Sequence, residues 1–415
     1  MRRAAAIRAV AIACALAVCQ GIPVRAQERD LAQGAATPAP AAPASAGLPA
    51  TGRYMQNFAP TYMTPRTRYT AAEAVQIARS FDLVAAHKGQ FESYLGAMKA
   101  ANPKLVVLIY FNGSFAQKHQ ASTYPASWYA HDASGHQITS RIFGNYLMDV
   151  GNAGWAATVA HECATALAGA PFDGCFIDML GDTLLFRSFL NAVPINPSTG
   201  LPWTTKERMD ATTALAGAVR SAVPGKIVMA NGLDAGYRYY DPLAPSSELL
   251  TEADAGLAET WLRQATRPIT HFETPAAWLQ DVQMLGAVAA LGRSVAVTTK
   301  VWIRASRAEV NRWHAYSLAS FLLGAMGTAY YAFLSPNRPS AFTTPNAWDH
   351  LNVGTPLGAM TSSGGVYERS YTHATALVNP GLATQTVKVA ACRTLEGKLV
   401  TSITLGPDTG EVCTH

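Results

Sequence analysis

Phe172-Asp173-Gly174-Cys175-Phe176-Ile177-Asp178, followed by Met179-Leu180-Gly181-Asp182, is the stretch on which the fold turns. Its apolar residues and Gly lie side by side instead of alternating with polar ones, the pattern of a short strand buried on both faces of a parallel sheet. The strand ends in a carboxylate. Burying an unpaired charge costs several kcal/mol, so Asp178 is expected at an opening of the core. In open α/β sheets and (β/α)8 barrels, the carboxyl ends of the strands are where catalytic groups are displayed.

Outward from this strand, short apolar runs alternate with helical patterns between about residues 53 and 333. The runs are Tyr54–Phe58, Asp82–Ala86, Leu105–Phe111, Gly174–Asp178, Lys226–Ala230, Glu248–Glu252, Ser294–Thr299 and Thr328–Phe333. Eight is the number that a closed barrel needs. Tyr146-Leu147-Met148-Asp149 is too short for a ninth and reads as an insertion before a helix at 152–169. Thr70-x-x-Glu73, Thr204-x-x-Glu207 and Ser306-x-x-Glu309 are capping boxes, and Thr274-Pro275 supplies a cap and a first-turn Pro. Beyond about residue 340 the helical pattern stops. Val366–Tyr371, Ala374–Val378, Gln385–Val389 and Leu399–Leu405 read as strands, with turns at Asn379-Pro380-Gly381 and Glu396-Gly397. The fold expected is α/β: a (β/α)8 TIM barrel over 53–345 with a small C-terminal antiparallel, β-sandwich-like module over 346–415.

The chain of 415 residues is 49% hydrophobic and 14% charged, too apolar for disorder. Its formal charge of +5 is spread without a basic run of the kind that neutralises phosphates, which argues against nucleic acid as a partner. Residues 1–26 read as a secretory signal: Arg2-Arg3, an Ala/Val/Ile stretch, then Val24-Arg25-Ala26 as a cleavage site. The stretch is too short and too Ala-rich for a stable membrane span. Cys19 stands where a lipoprotein would be acylated, but Val18 is larger than that site prefers. Residues 27–52, rich in Ala and Pro, read as a flexible mature N-terminus. The expected location is outside the cytoplasm, periplasmic or extracellular.

Export makes disulfides feasible. Cys392 and Cys413, both in the C-terminal β region, are expected to pair. Cys163 and Cys175 could form a second bridge or remain two buried thiols, and thiols are the favoured reading. No CxxC pair, Gly-x-Ser-x-Gly elbow or phosphate-binding Gly-rich loop stands out, and His161-Glu162-Cys163-Ala164-Thr165 lacks the second His of a zinc-protease helix. No metal or cofactor is expected.

An eight-strand count gathers strand-end polar residues on one face: Asn112, Asp178, Asn231, Glu252 and Lys300. Asp178 and Glu252 make a pair of the kind that glycosidic cleavage requires, one protonating the leaving oxygen and the other attacking the sugar or activating water. Strands four and six are roughly 9–10 Å apart at about 4.8 Å per strand, which suits either a retaining or an inverting enzyme. Glu, the longer side chain, is assigned as acid/base and Asp178 as nucleophile or base. Asn112 and Asn231 offer donors and acceptors to sugar hydroxyls. Asp182 and Asp254 follow closely enough to take over either role but read first as loop caps or hydroxyl contacts, and Lys300 as a substrate contact or the partner of a buried carboxylate. Tyr110, Trp155 and Trp302 could stack on sugar faces or belong to the core.

Three stretches carry a resemblance to the hypothetical glycosyl hydrolase family of secreted bacterial barrel proteins. They are Tyr146-Leu147-Met148-Asp149-Val150-Gly151-Asn152-Ala153-Gly154-Trp155, the strand Phe172–Asp178, and Tyr367-Glu368-Arg369-Ser370-Tyr371 with Ala376-Leu377-Val378-Asn379-Pro380. The resemblance covers roughly residues 50–415 and implies a (β/α)8 barrel with a trailing β domain, and a reaction type more than a substrate. Related dextranase-type and polygalactosaminidase-type barrels use an Asp at the end of this strand, which matches Asp178. In the dextranase type the acid lies on the fifth strand, where this chain has Asn231.

The function expected is an exported glycoside hydrolase that cleaves the O-glycosidic bonds of a polysaccharide or oligosaccharide with two carboxylates. The alternative is a non-catalytic carbohydrate-binding protein on a degenerate barrel, handling an envelope or capsule polymer. A glycan lyase or transferase ranks third.

Overall fold

The computed structural model describes residues 47–48, 53–182, 185, 189–335, 342–343 and 346–415; the signal, the lipoprotein site and nearly all of the Ala/Pro-rich segment lie outside them. Eight parallel strands run in sequential order: β1 (Phe58–Ala59), β2 (Leu83–Ala86), β3 (Val106–Asn112), β4 (Gly174–Asp178), β5 (Ile227–Asn231), β6 (Ala255–Ala258), β7 (Ser294–Lys300) and β8 (Ala329–Leu334). A parallel bridge between Asn57 and Tyr331 joins the last strand to the first. The (β/α)8 barrel expected from the sequence is the fold.

The first strand overlaps the expected Tyr54–Phe58 only at Phe58, and one run is no strand at all. Glu248–Glu252 is a helical turn outside the barrel, with Leu249–Glu252 as a short helix, and the sixth strand begins three residues later. Two leucines next to each other suit a buried turn as well as a strand, and periodicity cannot separate the two over five residues. Tyr146–Leu147 instead pairs antiparallel with Phe115–Ala116 in a ribbon after β3, an insertion as expected.

Each barrel strand alternates its side chains between the interior and the helices. Leu83 and Ala85, Val106 and Leu108, Phe176, Ile227 and Met229, Ala255 and Leu257, Ala296, and Tyr330 and Ala332 fill the interior as one apolar cluster. Gly174 faces the same way at the base of β4, where an added Cβ would overlap the Ile227 carbonyl. The three capping boxes form as the spacing requires, and Thr274 caps the helix Pro275–Ala290.

Three aspartates stand immediately before even-numbered strands and do one job. Asp82 accepts the Asn57 N–H, Asp173 the Val107 N–H and Asp254 the Val228 N–H, each from the preceding odd-numbered strand or its leading edge. Each has a cation: Arg53 on Asp82, Lys99 on Asp173, and Arg220 with Arg293 on Asp254. These carboxylates fix the register of neighbouring strands at the amino end of the barrel.

The C-terminal module is a six-stranded antiparallel sheet, Thr361–Ser363, Val366–Ser370, Ala374–Asn379, Gln385–Arg393, Leu399–Leu405 and Thr409–Thr414. It packs on the helix Arg307–Gly324, sharing a core in which Ala319 and Leu322 meet Ala376 and Val412. The buried Arg369 guanidinium donates to the carbonyls of Leu322, Leu323 and Ala325, and the Tyr371 hydroxyl donates to Leu322. Orphan carbonyls at a helix end thus receive a cation from the other module.

Cys392 and Cys413 form a disulfide across the module's sheet, as expected. Cys163 and Cys175, for which thiols were favoured, are also joined, tying the helix Ala153–Gly169 to β4. Burial by itself does not separate the two states; proximity does, and it comes only from the fold. Their separation of 12 residues sets the expected gain. Replacing both with Ala should lower stability by about 3 kcal/mol in urea unfolding, from the entropy of closing a loop of that size.

Candidate active site

The inward phase of the strands continues past the apolar interior and ends in polar groups. On β3 it runs through Leu108 and Tyr110 to Asn112, on β4 through Phe176 to Asp178, on β5 through Met229 to Asn231, and on β7 to Lys300. On β6 it runs through Leu257 to Glu259, the residue after the strand. Glu259 is the carboxylate that the sequence reading missed.

These groups form one connected network. The Asn231 amide donates to Asp178 Oδ1 at 2.6 Å and to Glu259 Oε2 at 2.6 Å. Both bonds leave one nitrogen, so the two oxygens lie roughly 5 Å apart or closer. Glu259 Oε1 takes the Lys300 ammonium at 2.6 Å. Asp178 Oδ1 also accepts the Met179 N–H, and its Oδ2 receives the Tyr110 hydroxyl at 2.8 Å. Asn112 donates to the Tyr110 oxygen, while its own carbonyl oxygen holds the Ser114 and Phe115 N–H groups of the following loop.

Two like charges this close cannot both ionise freely. Burial, and then the charge of Glu259, push the Asp178 carboxyl up to about 6 against its three hydrogen bonds. Burial works on Glu259 in the same direction, but the Lys300 ammonium and the Lys300 and Asn231 hydrogen bonds outweigh it and hold Glu259 below its ordinary value. Near pH 5 the pair therefore carries one proton, resident on Asp178. Oδ1 already takes two N–H donors, so that proton belongs on Oδ2, where Tyr110 can reverse its hydroxyl to accept.

The remaining candidates are distributed differently from expectation. Glu252 sits outside the barrel, with its carboxylate against Gly217 of the helix Thr205–Ala222 and its carbonyl accepting from Arg220. It does not reach the mouth. Asp254 lies at the opposite end of the barrel, buried between Arg220 and Arg293, and cannot meet a substrate bound at Asp178. Asp182 is on the mouth side but is buried and paired with Arg238 at 2.9 Å. Tyr110 holds Asp178 and is itself held by Asn112, and Lys300 holds Glu259. Trp302 is 38% exposed, with the Lys300 ammonium 4.8 Å over its ring, the one predicted aromatic that is open to a ligand. Trp155 belongs to the core, its indole N–H donating to Gly113. Asn152 caps the helix that starts at Ala153.

Asp234, on the loop after β5, is a further acid that sequence reasoning passed over. Burial, and then the charge of Asp182, push its carboxyl up to about 7. Its backbone is left-handed, with φ 63°, as are Met179 after Asp178 and Leu262 after Glu259, both also at φ 63°. Strained residues thus follow three of the strands that carry the network, on the loops shaping the mouth.

A signal for Glu259 was present. Asp173 and Asp178 are five apart, as are Asp254 and Glu259: one acid locks the strand base, the other stands at its top. Asp82 and His87 repeat the spacing on β2, and the His87 ring lies 4.1 Å from Tyr110.

Residues 99–375 match the model of hypothetical glycosyl hydrolase family 15. The chain belongs to that family. Tyr110, Asp178, Asn231, Glu259 and Lys300 all fall inside the matched range, so the family assignment covers the whole network. It places the protein among the glycoside hydrolases at the level of family. Among solved structures, a noncanonic maltogenic α-amylase, AmyB from Thermotoga neapolitana, aligns with a TM-score of 0.53 at 10% identity, over 87% of this chain and 99% of that one. An α-amylase from Malbranchea cinnamomea aligns at 0.47 and 12% identity, over 87% and 96%. The GH36 α-galactosidase AgaA from Geobacillus stearothermophilus aligns at 0.44 and 10%, over 87% of this chain and 55% of its own. The first of these likenesses shows the fold. No curated protein matches in sequence.

Proposed function

We propose that this protein is an exported glycoside hydrolase that cleaves O-glycosidic bonds of a polysaccharide with Asp178 and Glu259. The observation that carries the proposal is the single Asn231 amide bridging both carboxylates at 2.6 Å. Such closeness suits the roughly 5–5.5 Å separation of a retaining enzyme and leaves little room for the water of an inverting one. Export is supported by the signal-like N-terminus and by two disulfides, which persist in oxidising compartments.

The roles follow from the way the environment divides the pair. Asp178, protonated in the free enzyme, gives its Oδ2 proton to the leaving oxygen as the glycosidic C–O electrons pass to that oxygen. Glu259, kept ionised by Lys300, attacks the anomeric carbon and forms the glycosyl ester. Asp178, now a carboxylate, then takes a proton from the water that releases the sugar. This reverses the roles expected from side-chain length, because the Lys300 ion pair outweighs reach.

The test begins with a panel of bacterial and plant polysaccharides and reducing-end detection; hydrolysis of none of them sinks the proposal. With an aryl glycoside of the sugar so identified, Asp178→Asn should retain turnover when the leaving phenol is acidic, while Glu259→Gln should not. The opposite pattern would restore Asp178 as nucleophile. The kcat/KM profile should fall on its basic side near pH 6, where free Asp178 loses the proton it must donate. Lys300→Met should move the acidic side upward, because Glu259 loses the cation that keeps it ionised.

A further inference from the structure

Tyr62 lies in the turn Thr61–Met63 just after β1, and its ring packs 4.7 Å from Phe176 and 5.4 Å from Tyr110, nearly parallel to the latter at 17°. Phe176 and Tyr110 are inward residues of β4 and β3, so Tyr62 forms part of the floor under Asp178. The side chain is 7% exposed. Its hydroxyl oxygen is closed off from solvent and, among the described residues, has no hydrogen-bond partner.

A buried hydroxyl without a partner is a cost to the folded state, recovered only where an acceptor comes within reach. The charged and titratable groups around this hydroxyl are Glu259, Asp178 and Tyr110. His87, on the loop after β2, faces Tyr110, and burial holds its imidazole below the ordinary value, so it adds no positive charge beside this hydroxyl near neutral pH. Burial, and then the charges of Glu259 and Asp178, keep the Tyr62 phenol protonated, so it remains a donor. Because the oxygen is shut away from solvent, its acceptor is a protein group and not a sugar.

We propose that Tyr62 is a positioning residue whose hydroxyl donates to Asp178 once that carboxyl has given its proton to the leaving oxygen. This rests on the assignment of Asp178 and Glu259 as the hydrolytic pair. In that step negative charge leaves Glu259, which becomes an ester, and arrives on Asp178. Oδ1 is already occupied by Asn231 and the Met179 N–H. Oδ2 keeps only Tyr110. A second phenol stacked beside Tyr110 supplies the extra donor that the new charge needs.

The experiment is a carbon-13 titration of aspartate carboxyls in full-length Tyr62→Phe and wild-type protein without substrate, with Asp178→Asn to assign the resonance. The Asp178 midpoint should rise by about one pH unit in the Phe variant, because its ionised form loses a donor. At pH 5, where Asp178 is protonated, the variant should melt no lower than wild type, since the hydroxyl has no bond to lose. Its kcat/KM should fall roughly ten- to a hundredfold. An unmoved Asp178 midpoint, or a lower melting temperature at pH 5, overturns the proposal, since either makes Tyr62 structural only. The titration needs no substrate, so its failure is distinct from failure of the hydrolase assignment, which Asp178→Asn and Glu259→Gln decide by turnover.

Discussion

Glu259→Gln is expected to lower kcat/KM at least about a hundredfold, with Asp178→Asn as damaging on substrates with poor leaving groups, while Glu252→Gln stays within about threefold of wild type. Gln keeps the shape of Glu259 and its contact with the Lys300 ammonium, but has no charge for attack. The neutral side chain also removes the second cause of the raised Asp178 carboxyl, so Asp178 should titrate lower in that variant. Glu252 is separated from the mouth by the barrel wall and touches Gly217 on an outer helix. Steady-state kinetics of the three variants on one substrate decide the matter. Full activity in Glu259→Gln, or its loss in folded Glu252→Gln, would refute the assignment.

Asp254→Ala should cost about 3–5 kcal/mol in urea unfolding, the largest stability effect anticipated here. The carboxylate is buried, lies 2.8 Å from Arg220 and 3.6 Å from Arg293, and accepts the Val228 N–H at 2.9 Å. Truncation removes the carboxylate that two largely buried guanidiniums share and the acceptor of a strand N–H. Asp254→Asn, which keeps an acceptor for Val228, should lose less. Molecules of either variant that remain folded should hydrolyse at the wild-type rate, because Asp254 is at the far end of the barrel. A variant of unchanged stability and reduced turnover would return Asp254 to the substrate site.

These two carboxylates show how far local pattern reaches. Both stand next to the sixth strand, and the sequence reading placed that strand six to seven residues too early. The error came from Glu248-Leu249-Leu250-Thr251-Glu252, whose apolar pair between acids fits a strand end and a buried helical turn equally. Moving a strand by an odd number of positions exchanges its inward and outward residues. Glu252 was thereby credited with the position that Glu259 occupies. Asp178 escaped this fate because Cys175-Phe176-Ile177 is a run of large apolar residues bounded by Gly and acid, which fixes both its end and its phase.

Sequence alone determined the strand and helix alternation, three capping boxes, the β-rich C-terminal module, and Asp178 at a strand end. Each is a local matter of side-chain spacing, backbone propensity or the cost of burying a charge. Tertiary structure alone decided which carboxylate faces Asp178, that Asn231 links the two, that Lys300 keeps Glu259 charged, and that Cys163 meets Cys175. Those outcomes depend on strand phase around a closed barrel and on charges brought together from β4 to β7. A proton on Asp178 rather than on Glu259 is a property of that assembled field, because an ammonium contributed by a neighbouring strand outweighs anything the two acids' own sequence neighbours supply.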